Sequence, residues 1–345
     1  MFSFMSRKKS TTARINARLI TVNPRETLLQ AALREGIDFP HSCRVGSCAS
    51  CKCKLVDGEV KELAEAGYTL SDDELDQGFI LACQSVPKTD ISVELDSSAH
   101  PARRRVSGTV IGQDKLTGDI TRLCVQLEEA LPYKAGQFAN IGIASLSDVS
   151  RSYSFATPVL PEAQVSFFVR QIPGGVFSSL INDTEVIGQT MSVEGPFGDF
   201  WLRHADTPLL LVAGGSGLAP VLALLQEAVQ AGVARAATLL FAVREERDLY
   251  ALDVIDRIAN QWRGKFRFVP VLSVARDDSL WTGERGLVCD KISAVLEAGA
   301  HAYLCGPPPM VDTCTALLLE CGIPGQHIHA DRFTTLHERA KPVVR

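Results

Sequence analysis

A chain of 345 residues with 46% hydrophobic and 22% charged residues has the make-up of ordinary globular proteins, with room for two or three domains of about 150 residues each. Its formal net charge of −5 and the shortness of its basic cluster Arg103 to Arg105 exclude the basic stripe of a nucleic-acid-binding protein. Ten cysteines are too sparse in so long a chain for a secreted disulfide scaffold and fit a reducing cytoplasm, and no apolar run follows Met1 to suggest a signal peptide.

Residues 11–96 read as one small domain. Strand-like runs around Arg14 and from Arg18 to Val22 precede a helix expected from about Glu26, whose apolar spacing ends at Gly36. In the loop from His41 to Cys53, the cysteines at 43, 48 and 51 are separated by four and then two residues, and Cys83 stands alone further on. This is the spacing of a plant-type 2Fe–2S centre, a one-electron site, with Cys43, Cys48, Cys51 and Cys83 as ligands. The small residues Gly46, Ser47, Ala49 and Ser50 let backbone amides turn inward toward the sulfurs. A zinc site is the competing reading, but zinc favours paired ligands on two hairpins, whereas here three ligands share one loop. Cys53 falls outside the spacing and reads as a bystander on a strand. Lys54 to Val60 is expected to form a hairpin turning at Asp57-Gly58. An acidic segment runs on to Asp76, and Phe79 to Cys83 and Ile91 to Leu95 supply further strands.

Residues 97–105 have linker composition. Strand-like stretches near 106–111, 120–127 and 137–143 then suggest an antiparallel barrel. Within it lie Arg151, Ser152, Tyr153 and Ser154, a strand ending in Val169-Arg170, and Pro173 to Ser178 opening a helix. An arginine, an aromatic ring, a hydroxyl and a Gly-rich helix N-terminus are what a flavin dinucleotide requires: charge for pyrophosphate, a stacking face, and N–H donors for anionic oxygens. Singly, each has a plain reading as a solvated charge, a half-buried strand aromatic or a turn; their order and spacing carry the inference.

From about Ala205 the pattern is strand, loop, helix, which argues for a parallel α/β sheet. Residues 207–226 carry no charge, yet Pro208, the glycines from Gly214 to Gly217 and Pro220 break this run into strand, loop and helix rather than a membrane span. The loop of Gly214, Gly215, Gly217, Leu218, Ala219 and Pro220 is of phosphate-binding size, although Pro220 stands where a dinucleotide fingerprint has its third glycine. A later strand ends in Cys305, Gly306, Pro307 and Pro308. Ligands of open α/β sheets collect at strand C-terminal ends, so both loops are expected to border one pocket. Arg244, Glu245, Glu246 and Arg247 follow the strand that faces an adenosine ribose in such sheets; the two acids suit ribose hydroxyls and repel a 2′-phosphate, while Arg244 and Arg247 pull the other way.

Together with Gly195 to Gly198 and Asp248 to Tyr250, these motifs resemble the NAD(P)H-dependent reductase, or electron-transfer, components of multicomponent oxygenases, in which a plant-type ferredoxin is fused to a ferredoxin-NADP-reductase-like module. The resemblance runs from about residue 11 to Phe333. Phe39 to His41, Val45 to Cys48 and Ala330 to Phe333 look most like the branch serving xylene monooxygenase. It implies a β-grasp 2Fe–2S ferredoxin at 11–96, an antiparallel β-barrel FAD domain at 106–204, a parallel α/β NAD domain at 205–334, and a tail at 335–345. Arg151 and Ser178 would hold the FAD pyrophosphate, Tyr153 would pack on the isoalloxazine and Ser154 would lie near flavin N5. Ser152, Val169, Arg170, Gly174, Gly175, Val176 and Phe333 complete the expected cofactor contacts. The nicotinamide cofactor would sit against Gly214 to Pro220, Arg244, Glu245 and Cys305 to Pro308, with Tyr153, Ser154 and Cys305 nearest the chemistry.

The implied cofactors are a 2Fe–2S cluster, FAD and NADH, and the implied partner is a terminal oxygenase of the non-haem diiron or Rieske type acting on an aromatic or hydrocarbon substrate, with docking to a membrane-bound hydroxylase left open. Flavin is the necessary middle term, because nicotinamide gives electrons in pairs and the cluster accepts one at a time. No catalytic acid or base is demanded, and His327 and His329 are expected at the surface. Arg44, Lys52 and Lys54 are expected to form a basic docking edge opposite the acidic segment. Family members mostly carry Glu where Asp331 stands. Two other readings are a reductase of deoxysugar biosynthesis and a flavin/iron–sulfur redox sensor, although no output domain for the latter is visible.

Overall fold

The computed structural model describes residues 10–37, 39–41, 46, 50–63, 66, 69–70, 72–95, 103–147, 149–274 and 280–334, in two compact units, Met1–His100 and Pro101–Arg345. Among the described residues no helix is long and apolar enough to cross a membrane.

The first unit contains β1 (Thr11–Ile15), β2 (Arg18–Val22), α1 (Leu28–Arg34), β3 (Lys52–Asp57), β4 (Val60–Glu62), α2 (Asp72–Asp76), β5 (Phe79–Leu81), β6 (Ser85–Pro87) and β7 (Ile91–Glu94). Helix α1 starts two residues after its expected position because Thr27 is its cap: the Thr27 hydroxyl accepts from the Gln30 amide while the Gln30 side chain accepts from the Thr27 amide. Leu28, Leu29, Ala31 and Ala32 then face the core. The sheet order is β2-β1-β7-β3-β5, with β1 and β7 parallel. The expected hairpin across Asp57-Gly58 does not form. Strand β3 pairs with β5 and β7, whereas β4 leaves to pair with β6. Gly58, at φ +89, passes so close to the Asp90 carbonyl that a Cβ would lie 2.3 Å from it, and this contact turns the chain out of the sheet.

The second unit opens with β8 (Arg104–Lys115), β9 (Ile120–Leu127), β10 (Phe138–Ile143), β11 (Ser150–Ser154), β12 (Gln164–Arg170), α3 (Val176–Asp183) and β13 (Thr190–Phe197). Six antiparallel strands run in the order β11-β10-β13-β8-β9-β12, and a bridge between Phe155 and Phe167 brings the two edge strands together as a barrel. There follow β14 (Leu209–Gly214), α4 (Leu218–Gln230), β15 (Ala237–Val243), α5 (Leu252–Gln261), β16 (Phe266–Leu272), β17 (Glu284–Arg285), α6 (Cys289–Ile292), β18 (His301–Gly306), α7 (Pro308–Glu320) and β19 (Ile328–Arg332). Their sheet, β17-β16-β15-β14-β18-β19, is wholly parallel. Every residue of β14 is buried, as a strand covered on both faces requires. Helix α4 starts at Leu218 with Pro220 in its first turn, where a missing N–H costs nothing. One core cluster joins barrel residues such as Phe168 and Phe200 to α4, α5 and the sheet.

His327 and His329 are not surface residues as expected. Strand β19 lies parallel to β18 with His329 opposite Tyr303, and the segment after the barrel covers both, its Arg203 amide donating to the Tyr303 hydroxyl at 2.7 Å. His301 stacks on His327 with centroids 4.1 Å apart, and Nδ1 of both and Nε2 of His329 are enclosed without a hydrogen-bond partner among the described residues. Burial, with neighbouring imidazoles and the Arg203 guanidinium, pushes His301 down to about 4 and His329 down to about 3. These groups fold neutral, while in the unfolded chain they protonate near pH 6.5. Stability from their neutral state is therefore full above about pH 6.5 and is lost as pH falls toward the folded values. The melting temperature of the second unit should fall steadily between pH 6.5 and 4.5, and His329→Phe should flatten that slope in a thermal scan at each pH.

Candidate functional site

Of the four expected cluster ligands, Cys51 and Cys83 are described; Cys43 and Cys48 lie outside the described residues, as does Arg44. Cys51 sits in the turn entering β3 and Cys83 just beyond β5, and both are nearly fully buried. The Ala82 amide donates to the Cys51 carbonyl at 3.0 Å and the Cys83 amide donates to Cys51 Sγ at 3.5 Å. Gln84 Nε2 donates to Cys83 Sγ at 3.6 Å. Gly46, at φ +84, has no room for a side chain, since a Cβ would lie 2.8 Å from Gln84 Cγ. Donors aimed at two sulfurs inside an apolar shell suit thiolates holding a net-negative cluster. Cys53 differs: it lies opposite Ile80 in the sheet, 1% exposed, and burial raises its thiol far above the ordinary value. The basic docking edge is reduced, because Lys52 Nζ pairs with Glu74 of α2 at 2.6 Å, while Lys54 stays exposed.

On the barrel, Arg151, Ser152, Tyr153 and Ser154 lie on edge strand β11, which pairs with β10. Ser152 Oγ donates to Asn140 Oδ1 at 2.7 Å, Ser154 is buried, and the Tyr153 ring lies 5.7 Å from that of Phe177 at the start of α3. Burial holds the Tyr153 phenol protonated. The α3 start is built by Gly174, at φ +74 with open space at its Cβ position, and by Gly175, where a Cβ would stand 2.6 Å from Ser178 Oγ. That hydroxyl accepts from the Ile172 amide at 3.0 Å and donates to the Gly175 carbonyl at 3.2 Å. Ser178 thus shapes the loop, while the first-turn amides, Val176 among them, lack intrahelical acceptors and remain for an anion. Arg151 donates to the Ser150 carbonyl at 2.8 Å. An aromatic face, a cation and unpaired amides at one edge of the barrel fit a flavin dinucleotide.

Across the seam, the loops after β14 and β18 meet as expected. A Cβ on Gly217 would lie 2.3 Å from the Cys305 carbonyl, and one on Gly214 would lie 2.7 Å from Met310 Sδ; Gly306, at φ +156, has Met310 Cε at 2.7 Å from its Cβ position. Gly217 is required by the approach of one loop's backbone to the other, whereas the nearest atoms at Gly214 and Gly306 belong to the flexible Met310 side chain. Pro307 caps α7 and Pro308 opens it. Leu218, Ala219 and Pro220 are buried at the start of α4. The Cys305 thiol is fully buried and raised well above its ordinary value, first by burial and then by Asp331, so it is neither acid nor nucleophile. The Phe333 amide donates to the Gly306 carbonyl at 2.9 Å, which fixes the end of β19 beside the same loop. Arg170 does not simply face the barrel: its Nε donates to Asp119 at 2.9 Å and its Nη1 reaches to 3.0 Å from the Cβ position of Gly215. After β15, Glu245 caps its own turn with Asp248 and pairs with Arg247 at 3.0 Å, and Arg244 is exposed. Asp119 and Asn140 escape sequence reading because partners so distant in sequence carry no local signal; Tyr250 lay in a recognised motif without an assigned task.

Family models match all three parts of the chain: a 2Fe-2S iron-sulfur cluster binding domain over residues 14–88, an oxidoreductase FAD-binding domain over 107–201 and an oxidoreductase NAD-binding domain over 211–316. The chain is 40% identical to the xylene/toluene monooxygenase electron transfer component of Pseudomonas putida over 89% of each chain. It is 33% identical to the reductase component of phenol 2-monooxygenase of Pseudomonas sp. strain CF600 over 93% of each. Among solved structures, an Amycolatopsis cytochrome P450 reductase is similar at TM-score 0.72 and 32% identity, covering 94% of this chain and 99% of its own. The ferredoxin reductase of carbazole 1,9a-dioxygenase follows at TM-score 0.69 and 27% identity with the same coverage. Fold and matches define an oxidoreductase with iron–sulfur, flavin and nicotinamide modules in one chain. The chain belongs to the reductase, or electron-transfer, components of multicomponent oxygenases, and the expected likeness to the xylene branch is met.

Because Ser178 closes the loop from which the flavin amides project, Ser178→Ala should weaken FAD binding about three- to tenfold, the size of one neutral hydrogen bond. Titration of FAD into the apoprotein, followed by flavin fluorescence, measures this.

Proposed function

We propose that the chain is an NADH-dependent flavin/iron–sulfur reductase delivering single electrons to the terminal oxygenase of an aromatic- or hydrocarbon-hydroxylating system. The observation that carries this reading is the union of three cofactor modules in one chain that is 40% identical to an oxygenase electron transfer component. Bound FAD and a 2Fe–2S cluster supply the passage from paired to single electrons. The chain's own residues bind and orient. In this reading Tyr153 and Ser154 face the flavin ring, Arg151 and the α3 amides hold its phosphates, and Gly214 to Pro220 with Cys305 to Pro308 receive the nicotinamide dinucleotide. Cys43, Cys48, Cys51 and Cys83 hold the cluster. The partner is a non-haem diiron or Rieske oxygenase, and a membrane-bound hydroxylase would be approached from the water side. A cytoplasmic location agrees with the buried thiols of Cys53, Cys289, Cys305 and Cys314.

The test is NADH-driven reduction of two acceptors. Serine at Cys51 or Cys83 should abolish the EPR signal of the reduced cluster and cytochrome c reduction, while ferricyanide reduction survives; Cys53→Ser should keep all three, and its loss of the cluster would remove Cys53 from the role of bystander. The ribose end points to NADH, because Arg247 is occupied by Glu245 and two carboxylates oppose a 2′-phosphate. The ratio of kcat/KM should therefore favour NADH over NADPH by at least tenfold, and Glu245→Ala should narrow it.

A further inference from the structure

The proposed nicotinamide loop is held at one residue by a hydrogen bond that comes from outside the loop. Gly215 adopts φ +54, a left-handed conformation that glycine takes without steric cost. Tyr250 Oη donates to the Gly215 carbonyl at 2.9 Å. The tyrosine is 4% exposed, and its ring stands edge-on to Phe168 of β12 and Phe241 of β15, each centroid 5.5 Å away. Burial keeps the phenol protonated, so the donor persists. From the other side comes Arg170, two residues beyond Phe168 on the same strand and fixed by Asp119. Its Nη1 stands 3.0 Å from where a Gly215 side chain would begin. Helix α4 starts three residues after Gly215, at Leu218, whose amide donates back to the Gly215 and Ser216 carbonyls.

We infer that Tyr250 is a positioning residue for the nicotinamide dinucleotide: it does not touch the ligand, and its hydroxyl holds Gly215 so that the loop and the α4 start are set before the ligand arrives. This rests on the reading of Gly214 to Pro220 as the dinucleotide loop. A loop fixed in advance spares the ordering cost of binding. Without the hydroxyl, the Gly215 carbonyl keeps only the Leu218 amide and the loop relaxes. Binding then weakens, whereas the electron steps that follow binding do not change, and the loss falls on KM rather than kcat.

The experiment compares full-length holoprotein with Tyr250→Phe, which keeps the ring and removes only the hydroxyl, and with Gly215→Ala, which strains the same loop. For Tyr250→Phe, KM for NADH and the dissociation constant for NAD+ should rise about three- to tenfold, the worth of one hydrogen bond, with kcat, flavin content and melting temperature unchanged. An unchanged KM overturns the inference, as does a fall in kcat alone. Loss of flavin or early melting also overturns it, because Tyr250 would then serve the fold and not the loop. Gly215→Ala separates this inference from the reading beneath it. If Gly215→Ala weakens NADH binding and Tyr250→Phe does not, only the role of Tyr250 fails; if Gly215→Ala binds NADH normally, the loop is not the dinucleotide loop.

Discussion

The apolar seam between the barrel and the parallel sheet is the constraint on which the arrangement of the reductase unit depends. Phe168, Tyr250 and Phe241 meet edge-to-face across it, inside a core that also takes in α4 and α5. A buried aromatic side chain contributes roughly 1.5–3 kcal/mol through burial, and each ring pair adds about 0.5–1.5 kcal/mol. The Arg170–Asp119 ion pair at the same seam is partly exposed, and pairs of that kind contribute about 0–1 kcal/mol. Ring packing therefore holds the two halves together, and the ion pair aims the guanidinium. Electron transfer from a nicotinamide to a flavin needs both ligands at one edge of this seam, and a rigid seam is what fixes the two loops there.

Close backbone approach is the second theme. Gly214, Gly217 and Gly306 lie where the two proposed nicotinamide loops touch each other. Their missing side chains answer a packing demand that would exist with or without a phosphate. Gly46 meets a similar demand beside the cysteine loop, where Gln84 packs against it and donates to Cys83. In both places small residues let polar backbone come near a site that must hold a charged group away from water.

Charge is arranged more economically than its distribution along the chain suggests. Lys52, next to Cys51, is tied to Glu74 from the acidic segment, so basic and acidic stretches partly cancel at this point of the ferredoxin unit. The imidazoles of His301, His327 and His329 lie together beneath the segment that joins barrel and sheet, and burial keeps His301 and His329 neutral. Arg203 and Arg235 stand nearby, Arg235 donating to the Arg203 and Thr207 carbonyls. Cations already present make a further positive charge on these rings costly.

The cysteine spacing, the order of the three modules and the apolar run of β14 were all legible in the sequence, because each depends on residues near one another in the chain. What the linear order could not decide is what distant segments do on meeting. The Asp57-Gly58 turn looks like a hairpin until Asp90 closes on Gly58 and sends β4 to another sheet. His327 and His329 look like surface residues until β19 docks beside β18 and the segment carrying Arg203 covers them. Ser178 looks like a phosphate ligand until Ile172 and Gly175 occupy its hydroxyl, and Tyr250 has no task until the barrel brings Phe168 against it. The sequence alone determined which cofactors this chain is built for, since ligand type and spacing are local properties. Only the tertiary structure decided which side chains are left to meet them, since burial and hydrogen-bond partners are fixed by contacts between residues far apart in the chain.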